Sequence, residues 1–340
     1  MRSPLELVSE QQIASVVAGA WGQAIRDLRY FPEGGGAYHW IAEAGDGRRW
    51  FVTCDDLDTK PWLGSDRDSV FGGLLAAYGT AMELRATGLR FVVAPLATGA
   101  GEPAVRVDER HSVSVFDYTE GVPGRWGQAV EPTARRELVT MLARLHRAAP
   151  PGRGLASRGL ELPGRQGLEE ALDDPERPWE GGPLSEPLRH ELAEHRDLIV
   201  GWLADLDRYA ARLGDGNGDG STGAVVTHGE PHPGNLIRTG AGLSLVDWDT
   251  VAVARPERDL WMMVDGDESL HSAYRDLTGV TLDREALAAY RLLWALSDAV
   301  SFTARLRGEH RQNTDANRSL AALSLILQGR EPAPYRFAVR

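Results

Sequence analysis

The sequence predicts an α+β chain of two lobes, an antiparallel sheet with a helix followed by a mainly helical half. Three observations carry this expectation. A chain of 340 residues is long for a single core. Residues 25–54 read as short strands punctuated by glycine turns. After Gly124 the apolar residues recur at helical spacing.

Taken in order, Ser9 to Gly19 mixes polar and apolar residues as a short helix does. Strands are expected over Ile25–Phe31, Ala37–Ala44 and Arg49–Cys54, with Gly34, Gly35 and Gly36 in the first turn and Gly45-Asp46-Gly47 in the second. Strand, glycine turn, strand is a form that lets backbone N–H groups approach phosphate oxygens, and it equally suits an ordinary hairpin. A helix over Arg67–Ala86 comes next, then strands at Phe91–Ala94, Ala104–Val107 and Ser112–Phe116. Pro132 opens a helix that carries Leu138, Met141, Leu142 and Leu145 on one face. The stretch Arg153–Pro183 is rich in Gly, Pro and charge, and its run Glu169, Glu170, Asp173, Asp174 reads as a solvated face in preference to a substrate-side insertion. Leu188–Leu213 is expected to be one long amphipathic helix. The segment GDGNGDGSTG, Gly214 to Gly223, opens like a calcium-binding loop, but Val226 stands where that loop needs a bidentate Glu, so a flexible connector is expected. Pro256–Val264 should be helical, and Asp283 should cap a helix that runs to about Arg307.

Chemistry concentrates between Ala224 and Asp249. A short apolar run ends at His228, a turn rich in Pro and Gly follows, and two further apolar runs close on Asp247. Glu230, Asn235 and Asp247 then come from successive turns, offering a base and two hard oxygen ligands, which suits Mg²⁺ with a nucleotide. Any one of these residues alone would be ordinary turn chemistry.

The spacing His-x-acid, Asn five residues past the acid, and Asp at the end of the next hairpin resembles the catalytic and metal segments of the aminoglycoside phosphotransferase family. ARPERDLW, Ala254 to Trp261, resembles the motif that follows them. The family has the protein-kinase fold, and within it the likeness is to spectinomycin-type antibiotic phosphotransferases. The resemblance implies an N-terminal lobe over 1–117 with a glycine-rich loop, a hinge over 118–121 and a helical lobe over 122–340. It implies ATP or GTP with Mg²⁺, and transfer to a hydroxyl of a small molecule, an aminoglycoside or aminocyclitol antibiotic or related sugar. Under it Glu230 takes the place of the Asp that accepts the hydroxyl proton, and His228 belongs to the catalytic loop as scaffold. Asn235 and Asp247 hold the metal, and Asp259 ties the loop down. The nucleotide falls to Gly34, Gly35, Gly36 and to Asp117, Tyr118 and Thr119 at the hinge and its edge. Asp249, Asp265, Asp267, Glu268 and Asp298 are the acceptor-side residues, with Asp249 also open to a second metal or a surface role.

The chain departs from that pattern in its first half. Thr53 stands where the third strand should carry a phosphate-holding Lys, and the next helix has no acid between Asp68 and Glu83 to serve as its partner. Lys60 is the sole lysine. It is either a solvated loop residue or, with Asp56–Trp62 folded back, the cation that reaches the phosphates. These departures leave two alternatives open: a pseudokinase-like nucleotide or ligand-binding protein, and a kinase of a small metabolite such as an amino alcohol or pentose.

The net charge of −12 makes nucleic acid a poor partner and suits a cationic or polyhydroxylated small molecule. Cys54 is the sole cysteine, so neither an intrachain disulfide nor a multi-cysteine zinc site is available. The N-terminus lacks a signal-peptide pattern, and no apolar run reaches spanning length. A cytoplasmic protein without membrane attachment, monomeric or homodimeric, is expected.

Overall fold

In a computed structural model the described residues are 1–5, 7–150, 154–174, 177–214, 223–264 and 266–330. They divide into two compact units: 1–126 with 144–156 and 226–253, and 127–143 with 157–225 and 254–340. The connector 215–222 and Asp265 lie outside the described residues.

The first unit is built on a five-stranded antiparallel sheet in the order β1-β2-β3-β5-β4, with β1 Ile25–Tyr30, β2 Ala37–Ala44, β3 Arg49–Asp56, β4 Val105–Arg106 and β5 His111–Asp117. Because successive side chains of a strand point to opposite faces, β3 sorts into two sets. Trp50, Val52 and Cys54 join Trp40, Ala42, Val113 and Val115 in the core, which Ile13 and Val17 of helix α1, Glu10–Trp21, complete. A capping box from Ser9 and Gln12 starts that helix, one residue later than its apolar pattern suggests. The other set, Phe51, Thr53 and Asp55, lies opposite Phe116, Ser114 and Ser112 of β5. On that side Tyr78 of helix α2, Arg67–Ala86, meets Phe116 edge-to-face at 5.7 Å.

Phe91–Ala94 is not a strand. Val93 donates to Leu245 and Leu245 to Phe91, so this segment makes only an isolated bridge. The catalytic-type segment, in this unit over 226–253, comprises β7 Val225–Thr227, β8 Leu236–Thr239, β9 Gly242–Leu245 and β10 Ala252–Ala254, with β6 Val122–Pro123 completing the sheet β6-β8-β9. Gly124 is needed there, because a Cβ would collide with the Pro233 carbonyl.

The second unit is helical: α3 Pro132–His146 for most of its length, α4 Arg165–Asp173, α5 Ser185–Glu194, α6 Arg196–Leu213, α7 Glu257–Val264, α8 Glu268–Thr278, α9 Arg284–Arg307 and α10 Thr314–Leu327. The single helix expected over Leu188–Leu213 is two, broken at His195, whose ring nitrogen lies 3.0 Å from the Glu191 carbonyl. Asp283 caps α9 as expected, accepting from Glu285 and Ala286. Glu169 of the acidic run pairs with Arg165 and Glu170 with Arg307. No described helix is long and apolar enough to cross a membrane.

Candidate active site

The loop from β7 to β8 is held by its own backbone. Glu230 N–H donates to His228 Nδ1 at 3.2 Å, and His228 Nε2 donates to the Val246 carbonyl at 2.9 Å. His228 is fully buried against Trp248, with ring centroids 4.7 Å apart, and its carbonyl accepts the Thr250 hydroxyl at 2.8 Å. Both ring nitrogens are therefore occupied in orienting backbone, a scaffold geometry that holds the residues on either side of the loop.

Asn235 donates through Nδ2 to the Glu230 carbonyl at 3.0 Å, and its own carbonyl accepts from Val246 at 3.0 Å. The first bond turns the amide so that Oδ1 is the oxygen offered to a ligand. The second sets Asn235 beside the residue preceding Asp247. Asp247 has φ of 66°, the one described non-glycine residue in the left-handed region. That conformation costs on the order of 1–3 kcal/mol for a residue with a Cβ, and such strain concentrates at functional sites. The residue is exposed to solvent. Desolvation by the protein atoms around its carboxylate, then the Asp249 and Glu230 carboxylates, push its pKa above the usual carboxylate range.

Lys60 is buried to 2% exposure and is not a solvated loop residue. Its ammonium lies 2.5 Å from Asp249 Oδ2 and 3.0 Å from Asp55 Oδ1. Burial pulls the ammonium pKa down, and Asp249, Asp55 and Asp247 more than offset it, so the net shift is upward and the charge is fixed. The loop that presents Lys60 is clamped. Asp56 caps the short 3₁₀ turn Leu57–Thr59, Arg110 grips Asp56 with bonds of 2.8 and 2.6 Å, and Arg67 grips Asp58 with bonds of 2.7 and 2.8 Å. Such fork-to-fork pairs fix geometry as well as charge.

The glycine turn precedes β2. Gly34 has φ of 91°, and a Cβ there would lie 2.9 Å from His39 Nε2, whereas Gly35 and Gly36 face open space. His39 stacks on Phe51 at 5.0 Å and its Nδ1 lies 3.2 Å from the Thr53 hydroxyl. Asp117, exposed, ends β5; Tyr118 lies under the Arg49 guanidinium at 4.2 Å, and Thr119 follows half-buried.

The first unit thus gathers Lys60, His228, Glu230, Asn235, Asp247 and Asp249, and it also contains the glycine turn and Asp117–Thr119. Asp249 is a buried ion-pair partner, not a surface charge. Asp259, Asp267, Glu268 and Asp298 belong to the second unit. Asp259 is fully buried in α7. Asp267 caps α8, Glu268 pairs with Arg284, and Asp298 lies half-buried on α9.

Sequence reading missed Asp55. Its signal was the strand alternation that sets it on the same face as Thr53, while the expected partner for a lysine was sought on α2. That helix instead supplies Tyr78, whose hydroxyl makes a long 3.5 Å contact with Asp55.

The family model described as the phosphotransferase enzyme family, APH, matches residues 73–299, more than half of the chain. The chain belongs to the APH phosphotransferase family. This member has the kinase-like fold. It is similar to the spectinomycin phosphotransferase APH(9)-Ia solved with ADP and spectinomycin, at 15% identity and TM-score 0.72, over 98% of this chain and 99% of that one. A microcompartment-associated aminopropanol kinase aligns at 16% identity and TM-score 0.58, over 94% and 97% of the two chains. The amicoumacin kinase hAmiN, solved with AMP-PNP, Ca²⁺ and Ami, aligns at 13% identity and TM-score 0.58, over 96% and 95%. At these identities the likeness is one of fold. No curated protein matches the APH member in sequence.

Proposed function

We propose that this APH-family protein is a Mg·ATP-dependent phosphotransferase that modifies a hydroxyl of a small cationic or polyhydroxylated molecule of the aminocyclitol or aminoglycoside type. The observation that carries the reading is the gathering, in one unit, of a fixed ammonium at Lys60 with two ligand-type oxygens at Asn235 and Asp247 beside Glu230. Among the described residues no group of three or more His, Cys, Asp or Glu side chains is arranged to hold a metal. The donor set here, one carboxylate and one amide, suits Mg²⁺, which takes one or two protein ligands and completes its shell with phosphate oxygens and water. When bound, Mg²⁺ would neutralise charge on the β- and γ-phosphates.

In this reading Lys60 holds nucleotide phosphates in place of a strand lysine, and the glycine turn and residues 117–119 face the nucleotide. Glu230 accepts the acceptor hydroxyl proton as that oxygen bonds to the γ-phosphorus and the bond to the β–γ bridging oxygen breaks, releasing ADP. His228 fixes the loop on which Glu230 sits. The carboxylate of Glu reaches one methylene further than that of Asp, which retunes the position from which the proton is taken.

Similar solved structures include proteins named for spectinomycin, amicoumacin and aminopropanol, molecules that combine hydroxyl and amine groups. A screen of aminocyclitols, aminoglycosides, amino alcohols and sugars for acceptor-dependent ADP release tests the reading. Release with an aminocyclitol or aminoglycoside supports it, release with an amino alcohol alone moves the acceptor to a metabolite, and binding of Mg·ATP with no release from any acceptor favours a nucleotide-binding module.

A further inference from the structure

We propose that Asp55 is the positioning residue for Lys60, so that the lysine–acid pair that kinase-like folds divide between a strand and a helix lies here within one strand and the loop that follows it. The inference rests on the reading of Lys60 as the phosphate-holding cation and adds a residue that the sequence pattern does not assign.

Four observations converge. Asp55 is 1% exposed and points from β3 to the same face as Thr53, the position a strand lysine would occupy. Its Oδ1 lies 3.0 Å from the Lys60 ammonium but out of line for a hydrogen bond, so it acts on Lys60 through charge. The aligned bond goes instead to Asp249, two residues past the metal-type Asp247. Helix α2 offers no carboxylate here: its contact with Asp55 is the Tyr78 hydroxyl.

The two carboxylates hold the ammonium between β3 and the segment that bears Asp247. Without Asp55, Asp249 would be the one carboxylate among the described residues left in ion-pair contact with Lys60, whose ammonium also lies 5.4 Å from the Trp62 ring centroid, and Lys60 would be drawn toward the metal segment and away from the Thr53 face. Phosphate would then meet a displaced cation. A charge-assisted contact is worth enough that its misplacement should weaken phosphate binding about tenfold.

Calorimetric titration of the full chain with Mg·ATP and, separately, with adenosine tests this, because adenosine has no phosphates for Lys60 to hold. Asp55→Asn should weaken Mg·ATP about tenfold and leave adenosine affinity unchanged. Unchanged or tighter Mg·ATP binding by Asp55→Asn, with Lys60→Met weakened, overturns the role of Asp55 and leaves the reading of Lys60 intact. Unchanged binding by Lys60→Met removes that reading itself. An equal loss for adenosine makes Asp55 structural and also overturns the inference. If Asp55→Asn does not fold, the double variant Asp55→Asn/Lys60→Met removes both charges together. It should bind Mg·ATP no worse than Lys60→Met alone, whereas a further loss in the double variant overturns the pairing.

Discussion

Asp247 holds two costs at once, a left-handed backbone and a carboxylate crowded by Asp249 and Glu230. Asp247→Gly relieves both. The variant should melt at a higher temperature than the parent, by an amount equivalent to about 1 kcal/mol, and should lose any Mg²⁺-dependent stabilisation by ATP. A differential scanning experiment with and without Mg·ATP reads both effects, and retained metal dependence would remove Asp247 from the metal assignment. His39 and His232 make a second residue-scale prediction. Burial, with the N-terminal ammonium and Lys60 adding to it, lowers His39 from 6.5 to about 3, and burial, with the neighbouring His228 adding to it, lowers His232 likewise to about 3. Both rings are neutral in the folded chain and take up protons more readily when unfolded. Their contribution is fully present above pH 6.5 and is lost as pH falls from about 6.5 toward about 3. Melting temperature should decline across that window, and His39→Gln should make the decline shallower.

At the scale of elements, the loop between β3 and α2 is set by charge pairs on the two sides of a short turn. Arg110→Ala removes the forked grip on Asp56, an acid only 8% exposed in its side chain, so the loss should exceed that of an ordinary surface pair and reach about 1–2 kcal/mol. Hydrogen exchange should quicken over residues 57–63 in the same variant, and unchanged exchange there would show that the buried Leu57 and Lys60 with the Arg67–Asp58 pair anchor the loop without Arg110. Most elements were legible in the sequence because their signals are local. Asp283 reads as a cap, Pro132 as a first helical residue and the glycine turns as reversals. The errors arose where partners distant in sequence decide. Phe91–Ala94 reads as a strand by composition, yet Leu245 is its one strand-like partner, and Val92 turns back to donate to the Leu89 carbonyl. The periodicity of Leu188–Leu213 continues through His195, where the helix stops.

For the molecule as a whole, the charge of −12 should favour encounter with cationic acceptors. For an aminocyclitol or aminoglycoside turned over by the protein, kcat/KM should fall as salt rises from 0.1 to 1 M, where the screening length shrinks from about 10 to about 3 Å. For a neutral sugar acceptor it should stay nearly flat. An equal response of the two would show that the surface field plays no part in acceptor capture.

The sequence by itself determined the family pattern His228, Glu230, Asn235, Asp247, because those residues are close in the chain and their spacing survives without neighbours. It also revealed that Thr53 leaves the strand without its lysine and that Lys60 is the one ammonium side chain available. Only the tertiary structure decided what Lys60 does with its charge. Its partner Asp249 lies 189 positions away, and Asp55 became its neighbour through the fold of a loop whose Asp–Arg clamps no local pattern announces. A buried charge is defined by what surrounds it, and those surroundings exist only once the chain has closed.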